Sequence, residues 1–186
     1  MGRERHRVCP WYEAYLFDNP LRRLVHSPAR ILGPYVDTGM TVLDIGCGMG
    51  FFSLAMARLV GPEGRVFALD IQPQMLRVLK RRAMRADLMD RIETRLIGDN
   101  DLGLDGGVDF VLAFWMVHEV PDQESFLRRT AAVLNHGAKL LIAEPFYHVK
   151  AREMEEVISV AARLGLTALE RPKVRMSRAV VLERKR

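Results

Sequence analysis

Residues 42–54 read VLDIGCGMGFFSL. Val42, Leu43 and Ile45 close an apolar run. Three glycines then fall at alternate positions, Gly46, Gly48 and Gly50, and a new apolar segment begins. A chain gives up side chains this densely where its backbone must turn sharply or admit another group against itself. The place is a strand running into a helix. The free N–H groups of such a helix start point at the turn and favour a negative group there. Glycines also serve tight turns with no ligand, but here an acid, Asp44, and the strand–helix context coincide with them. The stretch predicts a nucleotide-type binding turn.

The surroundings supply the context. TVLDI (41–45) reads as a core strand. A helical pattern over 51–60 stops at Gly61-Pro62-Glu63-Gly64. RVFALDI (65–71) is a second strand. Pro73 suits the first turn of a helix over 73–86, with Met75, Leu76, Leu79 and Ala83 on one face. Strands follow at 92–97 and, after a Gly- and Asp-rich loop, at 108–114. A helix over 122–134 has Asp122 as N-cap and is expected to end near His136-Gly137. The fifth strand is KLLIAEP (139–145), and a helix over 151–164 comes next. This alternation predicts a parallel sheet covered on both faces, with right-handed crossovers. The end departs from it. Residues 166–174 and 178–184 read as strands with no helix between them, so the last returns antiparallel in a hairpin at one side. The expectation is a three-layer α/β/α sandwich with a mostly parallel seven-stranded sheet and an antiparallel last strand. It forms one domain over 1–186. Residues 1–37 are expected as an N-terminal lid or cap, its helical and aromatic stretch 10–37 either packing on the sheet or covering the carboxyl edge, and 38–186 as the binding core.

Composition bounds the rest. The apolar and charged fractions, 49% and 27%, are those of a globular protein. No apolar run reaches the length of a membrane span. The N-terminal MGRERHRVCPWYEAYLF lacks the apolar centre of a signal peptide, so a cytoplasmic protein is expected. Two cysteines, Cys9 and Cys47, exclude a disulfide framework and a cysteine zinc site, and no metal is expected. The net charge of +5 hints at an acidic partner, but much of it lies at the chain ends. The internal cluster Lys80-Arg81-Arg82 with Arg85 reads at helical spacing as a solvated face rather than a nucleic-acid patch.

The identity of the nucleotide turns on two acids. A dinucleotide fingerprint is G-x-G-x-x-G, whereas the spacing here is G-x-G-x-G. Asp44 would repel a pyrophosphate and suits a cationic amino group. Asp70 ends the second strand, where a carboxylate takes both hydroxyls of a ribose. An acid for an ammonium and an acid for a ribose fit S-adenosylmethionine better than NAD.

The stretch resembles motif I of the class I S-adenosylmethionine-dependent methyltransferases, (V/L)LD(I/V)GCGxG. The resemblance runs from about residue 38 to 145 through ALDIQPQML (68–76), IGDND (97–101), VDFVLAFWMVHEVPD (108–122) and VLNHGAKLLIAEP (133–145). Within the family it is most like small-molecule enzymes related to the ubiquinone and menaquinone C-methyltransferases and the arsenite methyltransferases. The resemblance implies a Rossmann-like fold, S-adenosylmethionine as cofactor and S-adenosylhomocysteine as product. Carried over by position, Asp44, Gly46, Cys47, Gly48 and Gly50 line the methionine end. Asp70 holds the ribose, with Ile71 and Met75 beside the adenine. Asp99 accepts from the adenine amino group, and Asn100 follows it. Phe114 meets the sulfonium. The Cys47 thiol is expected to be passive.

Methyl transfer is an in-line displacement, so the protein mainly aligns a nucleophile and excludes water. If the acceptor must lose a proton, His118 and Glu119 after the fourth strand are the candidate bases, His118 by its intrinsic pKa, with a structural role in capping or packing the loop as its alternative. Glu144, at the end of the fifth strand, is a candidate substrate contact, with a polar structural role as the alternative. Trp11, Tyr12, Tyr15, Phe17 and Trp115 are candidate pocket walls. The (N/D/S)PP(Y/F) signature of base-amine methyltransferases is absent, since 114–117 read FWMV. Two cysteines argue against arsenite as acceptor. A small metabolite is the expected acceptor, leaving its atom, its identity and the oligomeric state open. An RNA methyltransferase and a cofactor-binding module without turnover stay as alternatives. An NAD-dependent oxidoreductase is disfavoured by the glycine spacing and Asp44.

Overall fold

The computed structural model describes residues 22–98 and 102–185. Seven strands form one sheet. They are β1 Thr41–Ile45, β2 Arg65–Asp70, β3 Ile92–Leu96, β4 Val108–Phe114, β5 Leu134–Pro145, β6 Leu166–Glu170 and β7 Ser177–Arg184. Their order is β3-β2-β1-β4-β5-β7-β6. The chain enters at β1, works outward to β3, then crosses back to β4 on the other side of β1. That reversal opens a crevice beyond the carboxyl ends of β1 and β4, the place where open α/β sheets bind ligands. The first five strands are parallel, with Asp44 opposite Ala68 on one side and Leu112 on the other.

Six α-helices are described: α1 Arg22–Val25, α2 Pro28–Leu32, α3 Ser53–Leu59, α4 Pro73–Arg85, α5 Gln123–Val133 and α6 Ala151–Arg163. Period-two alternation divides the strands between two cores. Val42, Phe110 and Leu112 face a cluster with Leu32, Val36, Met56 and Leu79 of the N-terminal segment, α3 and α4. Leu43, Ile45, Val111 and Ala113 face Phe126, Leu127, Met154 and Val157 of α5 and α6. The described part of the N-terminal segment is thus built into the first core. Among the described residues, no helix is long and apolar enough to cross a membrane.

The seven strands, the parallel core and the antiparallel end match the sequence expectation, and Asp122 caps α5 by accepting from the Ser125 N–H at 2.9 Å. Two boundaries differ most, each for a physical reason. First, α5 stops at Val133 rather than near His136-Gly137, and β5 starts at once at Leu134. Residues 135–138 bulge between the pairs Val108–Leu134 and Phe110–Lys139, and Gly137 supplies the positive φ of 78° that the bulge needs. Asn135 fastens the bulge by donating to Asp109 at 2.7 Å, while the other Asp109 oxygen takes the Thr41 N–H at 2.9 Å. Second, β6 ends at Glu170 instead of 174, two residues before Pro172, which brings no N–H to a ladder. The sequence left open which strand of the hairpin lies against β5; it is β7, pairing from Lys139–Glu183 to Pro145–Ser177. Burial explains it. Ala179, Val180, Val181 and Leu182 are buried, as an inner strand requires, whereas β6 buries only Leu166 and takes the edge.

Candidate functional site

The glycine turn joins β1 to α3. Gly46, Gly48 and Gly50 all take positive φ, but space treats them differently. A Cβ on Gly50 would lie 2.2 Å from Leu79 Cδ1, so this glycine lets α4 pack against the turn. One on Gly46 would crowd the Met116 side chain at 3.0 Å. One on Gly48 would meet nothing within 4 Å. Gly48 is therefore the glycine that keeps open space beside the backbone, as close approach of a ligand requires.

Two acids frame that space. Asp70 is 6% exposed and ties two turns together, accepting from the Gly48 N–H and the Gln72 N–H at 2.8 Å each. Burial raises its pKa, and these backbone hydrogen bonds act against the rise. Each carboxylate oxygen retains further acceptor capacity, enough for a pair of ribose hydroxyls. Asp44 is 2% exposed and accepts from the Ser53 hydroxyl at 2.5 Å. Burial pushes its pKa up to about 6, with the Ser53 bond and the Arg22 charge opposing and Asp70 adding to the rise. Ser53, fully buried as the first residue of α3, was silent in the sequence reading.

The remaining cofactor candidates divide. Cys47 is buried, and its burial raises the thiol pKa well above the usual value, which leaves it inert at neutral pH. Met75 packs with Met49 and Val78 in a small cluster of its own. Ile71, expected as the last residue of β2, lies just beyond it and is 44% exposed. Asp99 and Asn100, like Trp11, Tyr12, Tyr15 and Phe17, lie outside the described residues.

The other half of the crevice is built on β4 and β5. Phe114 ends β4 buried against Phe52, ring centroids 4.5 Å apart. Trp115 then takes a φ of 59°, the left-handed region, at a cost of order 1–3 kcal/mol. Its N–H donates to the Ala143 carbonyl at 2.7 Å and its indole Nε1–H to the Ser177 hydroxyl at 2.8 Å. This kink leads the chain over Glu144. That carboxylate, 2% exposed, accepts from the N–H groups of Met116, Val117 and His118 at 3.2, 2.9 and 3.3 Å, and it pairs with His118 Nδ1. Glu144 thereby caps the short 3₁₀ turn Val117–Glu119 and fixes the imidazole at once. Burial acts to lower the His118 pKa, but the hydrogen bond to Glu144 and the charges of Glu144 and Glu119 win, so it is raised. With Nδ1–H aimed at Glu144, the lone pair of the neutral ring belongs to Nε2. Glu119 enters the site through its charge on His118.

Around this pair lies a rim of rings. His148 stacks on His118 at 5.4 Å and 9°, Tyr147 tilts against His148 at 4.8 Å, and Trp115 meets Tyr147 edge to face at 6.2 Å. Phe146 and Tyr147 are each 51% exposed and Met176 is 40% exposed, with the Phe146 N–H donating to the Met176 carbonyl at 3.2 Å. His26 is a further residue that no spacing in the sequence marks. It is 2% exposed, edge-on to Phe114 and Trp115 at 5.1 and 5.0 Å, and its Nε2 bonds the Arg175 carbonyl at 2.8 Å. The Arg22 guanidinium lies 4.4 Å above the Phe51 ring. Among the described residues, no group of three or more His, Cys, Asp or Glu side chains could hold a metal ion.

Comparison with known proteins bears on this arrangement. The sequence profile of a family described as "Methyltransferase domain" matches residues 36–169. Over 140 residues the chain is 31% identical to the ubiquinone biosynthesis O-methyltransferase of Xanthomonas euvesicatoria pv. vesicatoria, covering 72% of this chain and 55% of that protein. Over 108 residues it is 36% identical to the demethylmenaquinone methyltransferase of Listeria welshimeri, covering 56% and 44%. The chain spans about half the length of these relatives. Its fold is that of an SAM-dependent methyltransferase from Aquifex aeolicus, with a TM-score of 0.86 at 24% identity over 95% of this chain and all of that one. A putative rRNA-methylase from Clostridium thermocellum shares the fold at a TM-score of 0.67 and 20% identity, over 86% of this chain and 94% of that one.

Proposed function

We propose that this chain, which belongs to the class I S-adenosylmethionine-dependent methyltransferase family, transfers a methyl group to the hydroxyl of a small aromatic acceptor of quinol type. The observation that carries the reading is the pairing of buried Glu144 with half-buried His118 at the carboxyl edge, beside the glycine turn. S-adenosylmethionine, when bound, supplies an activated methyl on a sulfonium.

The chain's residues then have separate tasks. Asp70 receives the ribose hydroxyls, the open face of Gly48 lies along the methionyl part, and Asp44 favours the positive end. Met116 reaches Gly46 from the acceptor side, so the two halves of the site touch. Phe146, Tyr147, Trp115 and Met176 offer the apolar and aromatic surface that suits a flat acceptor ring. His118 Nε2 takes the hydroxyl proton as the oxygen turns nucleophilic, and Glu144 stabilises the imidazolium that results. A base of this kind serves a hydroxyl that loses its proton as its oxygen is methylated.

The test is calorimetric titration with S-adenosylmethionine, S-adenosylhomocysteine and NADH, followed by turnover on a panel of phenols and hydroquinones. The expected result is binding of the first two, none of NADH, and methylated phenol as product. Failure of both S-adenosyl compounds to bind, or methylation of carbon or nitrogen only, would overturn the reading.

A further inference from the structure

The helix α4 reads PQMLRVLKRRAMR, with five cations and no acid. Its inner face buries Met75, Leu76, Val78, Leu79 and Ala83. Its outer face carries Arg77, Lys80, Arg81, Met84 and Arg85, at i, i+3, i+4, i+7 and i+8, so they form one continuous stripe along the helix. All five are exposed, and Met84 is 65% exposed in the middle of the cations. None of Arg77, Lys80, Arg81 and Arg85 makes an ion pair or side-chain hydrogen bond among the described residues. The fifth cation, Arg82, turns inward and donates to the Met49 carbonyl at 3.1 Å.

The other long helices treat their outer charges differently. On α5, Arg128 pairs with Glu124 at 2.8 Å. On α6, Arg152 pairs with Glu156 at 3.0 Å, and Glu155 takes both guanidinium nitrogens of Arg171. Even Asp90, just past α4, pairs with Arg91 at 3.7 Å rather than with the stripe. Cations in the last turn suit the helix dipole, which accounts for Arg85. Arg77 and Lys80 gain nothing there, and like charges at i+3 and i+4 repel. Folding does not call for this stripe, and its charge complements an external anion.

We propose that the outer stripe of α4 docks the protein on an anionic lipid surface. Phosphate groups of a membrane complement the four cations, and Met84 sinks into the boundary between headgroups and acyl chains. A nucleic acid offers the same charge, but single-stranded RNA is held largely by stacking on aromatic rings, and the stripe has none. The contact is reversible and salt-sensitive, because its charges lie at the water interface.

The experiment is co-sedimentation of the full chain with vesicles. Neutral phosphatidylcholine is compared with a mixture containing about one third phosphatidylglycerol. Binding to the anionic vesicles alone is expected, with loss at about 1 M salt. Lys80→Glu/Arg81→Glu/Arg85→Glu lowers the partition coefficient at least tenfold, and Lys80→Gln/Arg81→Gln/Arg85→Gln, the milder variant should the first not fold, lowers it as well. Met84→Ser weakens binding a few-fold. S-adenosylhomocysteine affinity, unchanged in every variant, reports that the fold is intact. Equal binding to neutral vesicles, no binding, or retention in both charge variants overturns the proposal. So does a gel shift of single-stranded RNA that depends on the stripe while vesicles are ignored.

Discussion

The two halves of the carboxyl-edge crevice are made of different material. The half on β1 and β2 is built from backbone. Positive-φ glycines and the N–H groups of Gly48 and Gln72 surround Asp70, and the side chains taking part lie close to the turn in sequence. The half on β4 and β5 is built from side chains. Glu144 reaches across to a histidine 26 residues earlier, and rings from three segments meet around the pair. A backbone site tolerates exchange of most neighbours but not of its glycines. A side-chain site depends on single pairs. Substitutions in the second half should therefore strike turnover, and those in the first half affinity or stability.

The largest effect is expected at His118. His118→Asn should lower kcat about 10²–10⁴-fold on a phenolic acceptor with S-adenosylmethionine affinity unchanged. Equal turnover in the variant would place the base elsewhere. Gly50→Ala comes next, in stability. Its Cβ would meet Leu79 at 2.2 Å in a backbone that disfavours any side chain, and a loss of about 2–4 kcal/mol should appear in denaturant unfolding. Gly48→Ala meets open space, so it should cost only about 1 kcal/mol of stability while weakening the cofactor more. A reversal of that order would erase the distinction between the two glycines.

Asp44 separates binding from stability. Its folded pKa lies near 6, above the ordinary carboxylate value of 3.8. The native state thus holds a proton that the unfolded chain has released, and stability falls as pH rises through that window. Asp44→Asn should raise stability at pH 7 by roughly 1–3 kcal/mol while weakening S-adenosylmethionine, read by thermal unfolding and calorimetry. For Asp70→Ala, affinity should drop at least tenfold, about 1.4 kcal/mol.

The smallest signal is a pH shift. His118 is raised above 6.5, so its neutral, base-competent form accumulates only as pH climbs past that value. The acid limb of kcat/KM should lie above pH 6.5 and move downward in Glu144→Gln. The stability that His118 draws from Glu144 runs the other way. It is full below pH 6.5 and is lost as pH rises through the elevated folded value. An acid limb unmoved by Glu144→Gln would mean that Glu144 only caps the turn.

Much of the first half was legible because its signals are local. The spacing of Gly46, Gly48 and Gly50 and the acid ending β2 lie within thirty residues and follow from strand and helix geometry. The second half was legible as a set of parts. His118 and Glu144 stood out singly, but their pairing depends on the register of β4 with β5 and on the left-handed turn at Trp115, which an aromatic residue does not announce. His26 gave no signal, since a single histidine between Val25 and Ser27 has no periodicity to read. The bulge in β5 was hidden because His136-Gly137 suits a helix end equally well. The place of β7 was recoverable in principle, for only the inner of two strands can afford four consecutive buried residues.

The placing of β7 inside β6 has a consequence for synthesis. While the ribosome is still making the chain, β6 emerges before the strand it must pair with exists. The edge of β5 stays open until Ser177–Arg184 has cleared the exit tunnel, and a single late segment then supplies the partner for two strands at once.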